Sequence, residues 1–143
     1  MNGAFYFTDM IKRIEHLGIA VNNLEEALKP YEALFGKSYK EEIVESEFVK
    51  TVFIQVGESK IELLEATDER SAIAKFLEKN RQGFHHVAFE VDNIEKELER
   101  LKGEGFQLIH ETPKDGADNK RIAFLHPKST AGLLVELCEE KAG

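Results

Sequence analysis

His16-Leu17-Gly18-Ile19-Ala20-Val21-Asn22-Asn23-Leu24-Glu25-Glu26 recurs further on as His86-Val87-Ala88-Phe89-Glu90-Val91-Asp92-Asn93-Ile94-Glu95-Lys96. Each copy is followed, later in the chain, by a second matching run: Ile61-Glu62-Leu63-Leu64-Glu65 for the first and Val135-Glu136-Leu137-Cys138-Glu139 for the second. The chain is therefore an internal duplication. Each copy opens on a histidine and closes on a strand carrying a glutamate.

The opening runs alternate as strands do. Leu17, Ile19 and Val21 fall on one face and His16, Gly18 and Ala20 on the other. In the second copy Val87, Phe89 and Val91 oppose His86, Ala88 and Glu90. The bulky faces suit packing against a helix, and small neighbours leave room above each histidine. A helix follows each strand. Asn23 caps the first, with Glu26 three residues later in a capping-box pattern, and Leu24, Ala27, Leu28, Tyr31, Leu34 and Phe35 recur at helical spacing. Pro30 inside that pattern predicts a kink or a late start, and Gly36 a stop. The second helix is expected from Asp92 or Asn93 through Ile94, Leu98 and Leu101 to about Gly103–Gly105.

Strand-like runs come next: residues 39–44, 49–56 and 60–65, with a Gly57-Glu58-Ser59 turn, and then residues 107–111, 122–125 and 133–138. Between the copies, residues 71–79 read as a short amphipathic helix with Ile73, Phe76 and Leu77 inward. A loop holding Pro113, Gly116 and Asn119 interrupts the second copy. The expectation is an α+β fold of two tandem βαβββ modules with pseudo-twofold symmetry, forming a half-barrel around a metal site. Module one covers about 12–67, a linker helix about 70–80 and module two about 84–140, all in a single domain over 1–143.

The duplication supplies two imidazoles, His16 and His86, and two carboxylates, Glu62 and Glu136, at matched places. That set completes a divalent-cation site of borderline character, suited to Co, Mn, Ni or Zn, and leaves an octahedral ion about two open positions for a chelating substrate. Other classes are disfavoured. The net charge of −8 opposes nonspecific binding to nucleic acid or an anionic membrane. A single cysteine, Cys138, excludes an internal disulfide and fits a reducing compartment. The first 13 residues, with Phe5, Tyr6 and Phe7, do not read as a signal peptide, and no run reaches membrane-spanning length. A cytoplasmic location is expected. No glycine-rich phosphate loop, Ser-His-Asp set or cysteine zinc cluster appears. His110 reads as a strand end in solvent and His126 as shaping the turn before Pro127.

Five segments carry a resemblance. They are His16 to Val21, Lys60-Ile-Glu-Leu-Leu-Glu65, Ser71-Ala-Ile-Ala-Lys-Phe-Leu77, Gly83-Phe-His-His-Val-Ala-Phe-Glu-Val-Asp92, and Phe124-Leu-His-Pro-Lys-Ser-Thr-Ala-Gly-Leu-Leu-Val-Glu-Leu137. The chain resembles the methylmalonyl-CoA epimerases of the vicinal-oxygen-chelate superfamily from Ile14 to Glu139. The resemblance implies one divalent metal ion per chain, ligated by His16, Glu62, His86 and Glu136, with His85 pointing away. Some relatives carry glutamine where Glu62 stands.

It implies an isomerase that epimerises methylmalonyl-CoA at C2, with α-proton abstraction through a metal-stabilised enolate. Glu136 would serve as one base as well as ligand. Some relatives have a second glutamate on the strand 49–53. Thr51 aligns there and cannot take a proton at neutral pH, which leaves Glu47 as the nearest carboxylate, with a solvated loop charge as its competing reading. Lys120, Arg121, Lys128 and Ser129, on loops after the strands of module two, would meet the phosphates of coenzyme A. A homodimer is also implied. Two alternatives stay open: a glyoxalase I-type lactoylglutathione lyase, and a non-catalytic small-molecule-binding module. The His126-Pro127-Lys128-Ser129 turn and the helix from Ser71 weigh against the first; the retention of all four ligand types weighs against the second.

Overall fold

A computed structural model describes residues 11–142, so the Phe5-Tyr6-Phe7 segment lies outside the described residues. The elements run β1 (Arg13–Ala20), α1 (Leu24–Phe35), β2 (Lys40–Val44), β3 (Val49–Val56), β4 (Ser59–Ala66), α2 (Ala72–Lys79), β5 (Gly83–Glu90), α3 (Ile94–Gly103), β6 (Lys114–Asp115), β7 (Lys120–Leu125) and β8 (Val135–Glu140). This is the expected α+β order of strand, helix and three strands, twice. The described residues divide into two compact units, His16–His85 and the remainder, in which residues 11–15 group with His86 onward.

In the unit His16–His85 the strand order is β2-β3-β4-β1. β3 and β4 form a hairpin that pairs Val56 with Ser59 across Gly57 and Glu58. Gly57 has φ +61°, a backbone region that glycine enters at no steric cost and a tight hairpin requires. β4 then lies parallel to β1, with Leu17 opposite Ile61 and Gly18 opposite Glu62. One sheet face packs on α1: Val21, Leu24, Val52, Ile54, Ile61 and Leu63 are buried together, against Leu17, Ile19, Ala27, Leu28 and Tyr31. That is the bulky face expected from alternation. On the other face, Ala20, Val49, Leu64 and Ile73 form a second cluster with Phe76 and Leu77 of α2. The inward set expected for that helix is thus observed.

Pro30 does not delay α1, which runs unbroken from Leu24 to Phe35. Asn23 accepts the Glu26 N–H at 2.9 Å, and Glu65 of β4 accepts the Leu24 N–H at 2.6 Å, so the helix starts where the cap sets it. Pro30 is exposed, as is Glu26, whose carbonyl it leaves without a helical donor. The apolar stripe is shorter than expected, because Leu34 is 72% exposed and Phe35 37%.

Ahead of α2, Arg70 donates to Asp68 Oδ1 at 2.9 Å, and its guanidinium lies 4.3 Å over the Phe48 ring. The Arg70 hydrogen bond holds the Asp68 carboxyl at about 2, below the usual aspartate value. A lowered native pKa gives stability that is present above the unfolded value of ~3.9 and is lost as pH falls toward 2. A carbon-detected NMR titration is expected to place Asp68 near 2, and Arg70→Ala to raise it part of the way toward the ordinary aspartate range, since the residue-70 backbone N–H still donates to Oδ1.

In the other unit the order is β5-β8-β7-β6. β8 lies parallel to β5, with Val87 opposite Val135 and Ala88 opposite Glu136. Val87, Val91, Ile94, Leu98, Leu101, Val135 and Leu137 are buried. Asn93, not Asp92, caps α3 by accepting the Lys96 N–H. Lys12 N–H donates to Glu90 O at 2.9 Å, and Arg13 reaches Glu90 at the same distance. These bonds tie the residues before His16 to this unit.

The third run of module two departs from expectation. Residues 107–111 form no strand; Leu108 makes one isolated bridge to Leu125. The ladder partner is instead the two-residue β6, inside the segment expected as loop. Left-handed backbone at Asp118 and Asn119 turns the chain there. Gly116 is needed for close approach, since a Cβ would stand 2.8 Å from Ile122 Cγ2. The connection from β7 to β8, residues 126–134, holds a 3-10 turn at Pro127–Ser129. Among the described residues no helix is long and apolar enough to cross a membrane.

Candidate metal and acid–base site

Parallel pairing of the first and last strands builds the same arrangement in each unit. Glu62 stands opposite Gly18, two residues beyond His16, and Glu136 stands opposite Ala88, two residues beyond His86. The glutamate and histidine are therefore diagonal neighbours on one face. His16 Nε2 lies 3.1 Å from Glu62 Oε1, and His86 Nε2 lies 3.0 Å from Glu136 Oε1. All four residues are at most 5% exposed, Glu62 included, although its strand neighbours Lys60 and Glu65 are more exposed.

The donor sets fit a divalent cation. Two ligands bound at ~2.1 Å and at right angles stand about 3.0 Å apart, and both pairs match that spacing. The same separation lies within hydrogen-bond distance. Residues that flank the pairs fix them further. Thr51, fully buried, donates from Oγ1 to Glu62 Oε2 at 2.9 Å. The Phe124 ring meets the His86 ring edge-on, with centroids 5.5 Å apart.

Neither flanking role was read from the sequence. Thr51 was legible in principle. The Gly57-Glu58 hairpin pairs Phe53 with Glu62, so Thr51 shares that face one step along. Phe124 was hidden because the long 126–134 connection, unlike a two-residue turn, does not dictate the register that sets Phe124 opposite Glu136. His110 is half-buried rather than at a solvent-exposed strand end: its Nδ1 accepts the Phe124 N–H at 3.0 Å. His85 packs edge-on against Phe76 of α2 with centroids 4.9 Å apart. Strand alternation places His85 and His86 on opposite faces of β5. Cys138, on the Glu136 face, is fully buried in a cluster with Ala88, Ile122 and Phe124.

Glu47 ends a 3-10 turn, Glu45–Glu47, and is half-buried. Phe48 next to it is left-handed, φ 55°, and directs the chain into β3.

The four expected phosphate contacts are dispersed. Lys120 and Arg121 are on strand β7, not on a loop. Lys120 is buried, with Nζ 3.1 Å from Glu140 Oε1. Arg121 alternates to the opposite face, where it pairs with Glu95 of α3 and with Glu139 at 3.1 Å. Ser129 uses its hydroxyl to accept the Gln107 N–H at 2.8 Å. Lys128 is exposed on the turn, its N–H donated to His126 Nδ1; His126 thus shapes the turn as expected.

Residues 15–124 match the Glyoxalase/Bleomycin resistance protein/Dioxygenase superfamily. The mitochondrial methylmalonyl-CoA epimerase of Dictyostelium discoideum is 43% identical over 133 residues, 92% of this chain and 80% of that protein. The crystal structure of methylmalonyl-CoA epimerase from Mycobacterium tuberculosis superposes with a TM-score of 0.89 at 34% identity, covering 94% of this chain and 92% of that one. A methylmalonyl-CoA epimerase solved in complex with methylmalonyl-CoA and NH4+ gives a TM-score of 0.87 at 33% identity, over 92% and 96%. The duplicated fold, the two His–Glu pairs and these likenesses together establish that the chain belongs to the methylmalonyl-CoA epimerase family of that superfamily.

Proposed function

We propose that this protein interconverts the two C2 configurations of methylmalonyl-CoA, with His16, Glu62, His86 and Glu136 sharing one divalent cation. The observation that carries this reading is the duplicate construction of the His–Glu pair, at equal register and equal donor spacing, in a chain whose relatives are epimerases. A bound cation would supply positive charge to the thioester oxygen on which negative charge accumulates.

The chain's own residues do the rest. Glu136 takes the C2 proton, turning the thioester into its enolate, and inversion requires a proton delivered to the opposite face. We assign that delivery to Glu47. Its half-burial at the entrance to β3, the strand whose Thr51 touches Glu62, supports this over a solvated loop charge. Burial of the four ligands excludes bulk water, so each charge acts at low dielectric. Lys128 is the cation assigned to a coenzyme A phosphate, because Lys120 and Arg121 are held by Glu140, Glu95 and Glu139.

The test is incubation of cobalt-loaded protein with one methylmalonyl-CoA epimer in heavy water. Deuterium uptake at C2 with loss of optical purity is the expected result. Absence of both rejects the epimerase, and turnover of methylglyoxal with glutathione would favour the lyase.

A further inference from the structure

The duplication is not exact where it touches the two glutamates. On β3, Thr51 stands opposite Leu64, two residues past Glu62, and its hydroxyl reaches back to Glu62 Oε2. The matching place in the other unit is opposite Cys138, two residues past Glu136, and it holds Ile122. An isoleucine has no donor to offer. One carboxylate therefore receives a hydroxyl bond that the fold does not provide from that position to the other.

From this asymmetry the geometry points to Thr51 as a positioning residue that fixes Glu62 as a one-oxygen metal ligand. This rests on the reading of Glu62 as a ligand given above. With Oε2 accepting from Thr51 at 2.9 Å and Oε1 at 3.1 Å from His16 Nε2, the carboxylate plane is set from both ends. Thr51 is fully buried and β-branched, so its χ1 has little freedom. A bond from a locked hydroxyl holds the carboxylate against rotating into two-oxygen coordination, and such outer partners tune metal affinity. Glu136, with isoleucine at the equivalent place, lacks this particular restraint, in keeping with its separate work on a proton.

Three substitutions separate the hydroxyl from the methyl group. Thr51→Val keeps the shape and removes the donor, Thr51→Ser keeps the donor and removes the methyl, and Thr51→Ala removes both. Each protein is stripped with chelator and checked for folding by its metal-free melting curve. Co2+ is then titrated calorimetrically, and the cobalt absorption spectrum is recorded. Val and Ala are expected to weaken Co2+ binding by about 10–100-fold and to change the spectrum, with Ser remaining near wild type. If Val fails to fold, the contrast of Ser with Ala still isolates the hydroxyl. Equal affinity and spectrum in Ser and Ala, with wild type binding cobalt, would overturn the role of Thr51 and leave the metal site standing. Wild-type protein that binds no cobalt would overturn both.

Discussion

Glu136→Ala is expected to lower turnover of methylmalonyl-CoA by about two to four orders of magnitude, the range that a positioned acid–base group contributes. Two effects combine in this variant. On the proposed mechanism the C2 proton loses its acceptor, and His86 loses the carboxylate 3.0 Å from its Nε2. Glu136→Gln separates them, since the amide preserves shape and removes only the basic oxygen. Loss of optical activity of a single epimer, followed in time, measures the first effect, and cobalt titration the second. Glu136→Gln with full turnover would remove Glu136 as the base, and Glu136→Ala with unaltered cobalt affinity would remove it as a ligand.

The largest stability effect is expected at Leu63. It has no exposed surface, stands opposite Ile19 on β1 and Val52 on β3, and belongs to the cluster beneath α1. Leu63→Ala deletes buried methyl groups and leaves a cavity, at a cost of ~2–5 kcal/mol. For a chain of this size that lowers the melting temperature by on the order of 10 °C. Leu137 occupies the matching place beside Glu136, opposite Phe89, and is 1% exposed. Leu137→Ala should behave alike. Leu34→Ala, at a position 72% exposed, should change stability by no more than ~0.5 kcal/mol. Thermal melts of the three variants check the set, and a mild effect at Leu63 would show that the helix-facing layer tolerates loss of volume.

Much of this was legible before any coordinates. Period-two alternation in the two His-containing runs fixed which face meets a helix, because a strand cannot bury His16 and Leu17 on one side. The Asn23 cap marked the start of the first helix, and Asp92 or Asn93 that of the second. Repeat logic paired each histidine with its glutamate, since both pairs follow from one strand adjacency. Other features depend on geometry that single residues do not announce. Pro30 is tolerated because it faces solvent, and sequence spacing alone does not say which carbonyls water can reach. Residues 107–111 look like a strand in composition. The ladder goes instead to Lys114 and Asp115, where Gly116 permits the close approach to Ile122. Lys120 and Arg121 resemble loop cations by charge, but placing them on β7 gives each a glutamate across the ladder.

The hairpins that carry the two glutamates are joined very differently: by Gly57 and Glu58 in one unit, and by residues 126–134 in the other. Yet the His–Glu spacing is nearly the same in both. The length of the return connection therefore does not set that spacing; the parallel pairing of β1 with β4 and of β5 with β8 does. The last residues of the 126–134 segment belong to that pairing, since the Leu134 carbonyl accepts the Val87 N–H next to His86, so the shorter Gly57-Glu58 turn, at the far end of its hairpin, is the place where added length would leave the pairs undisturbed.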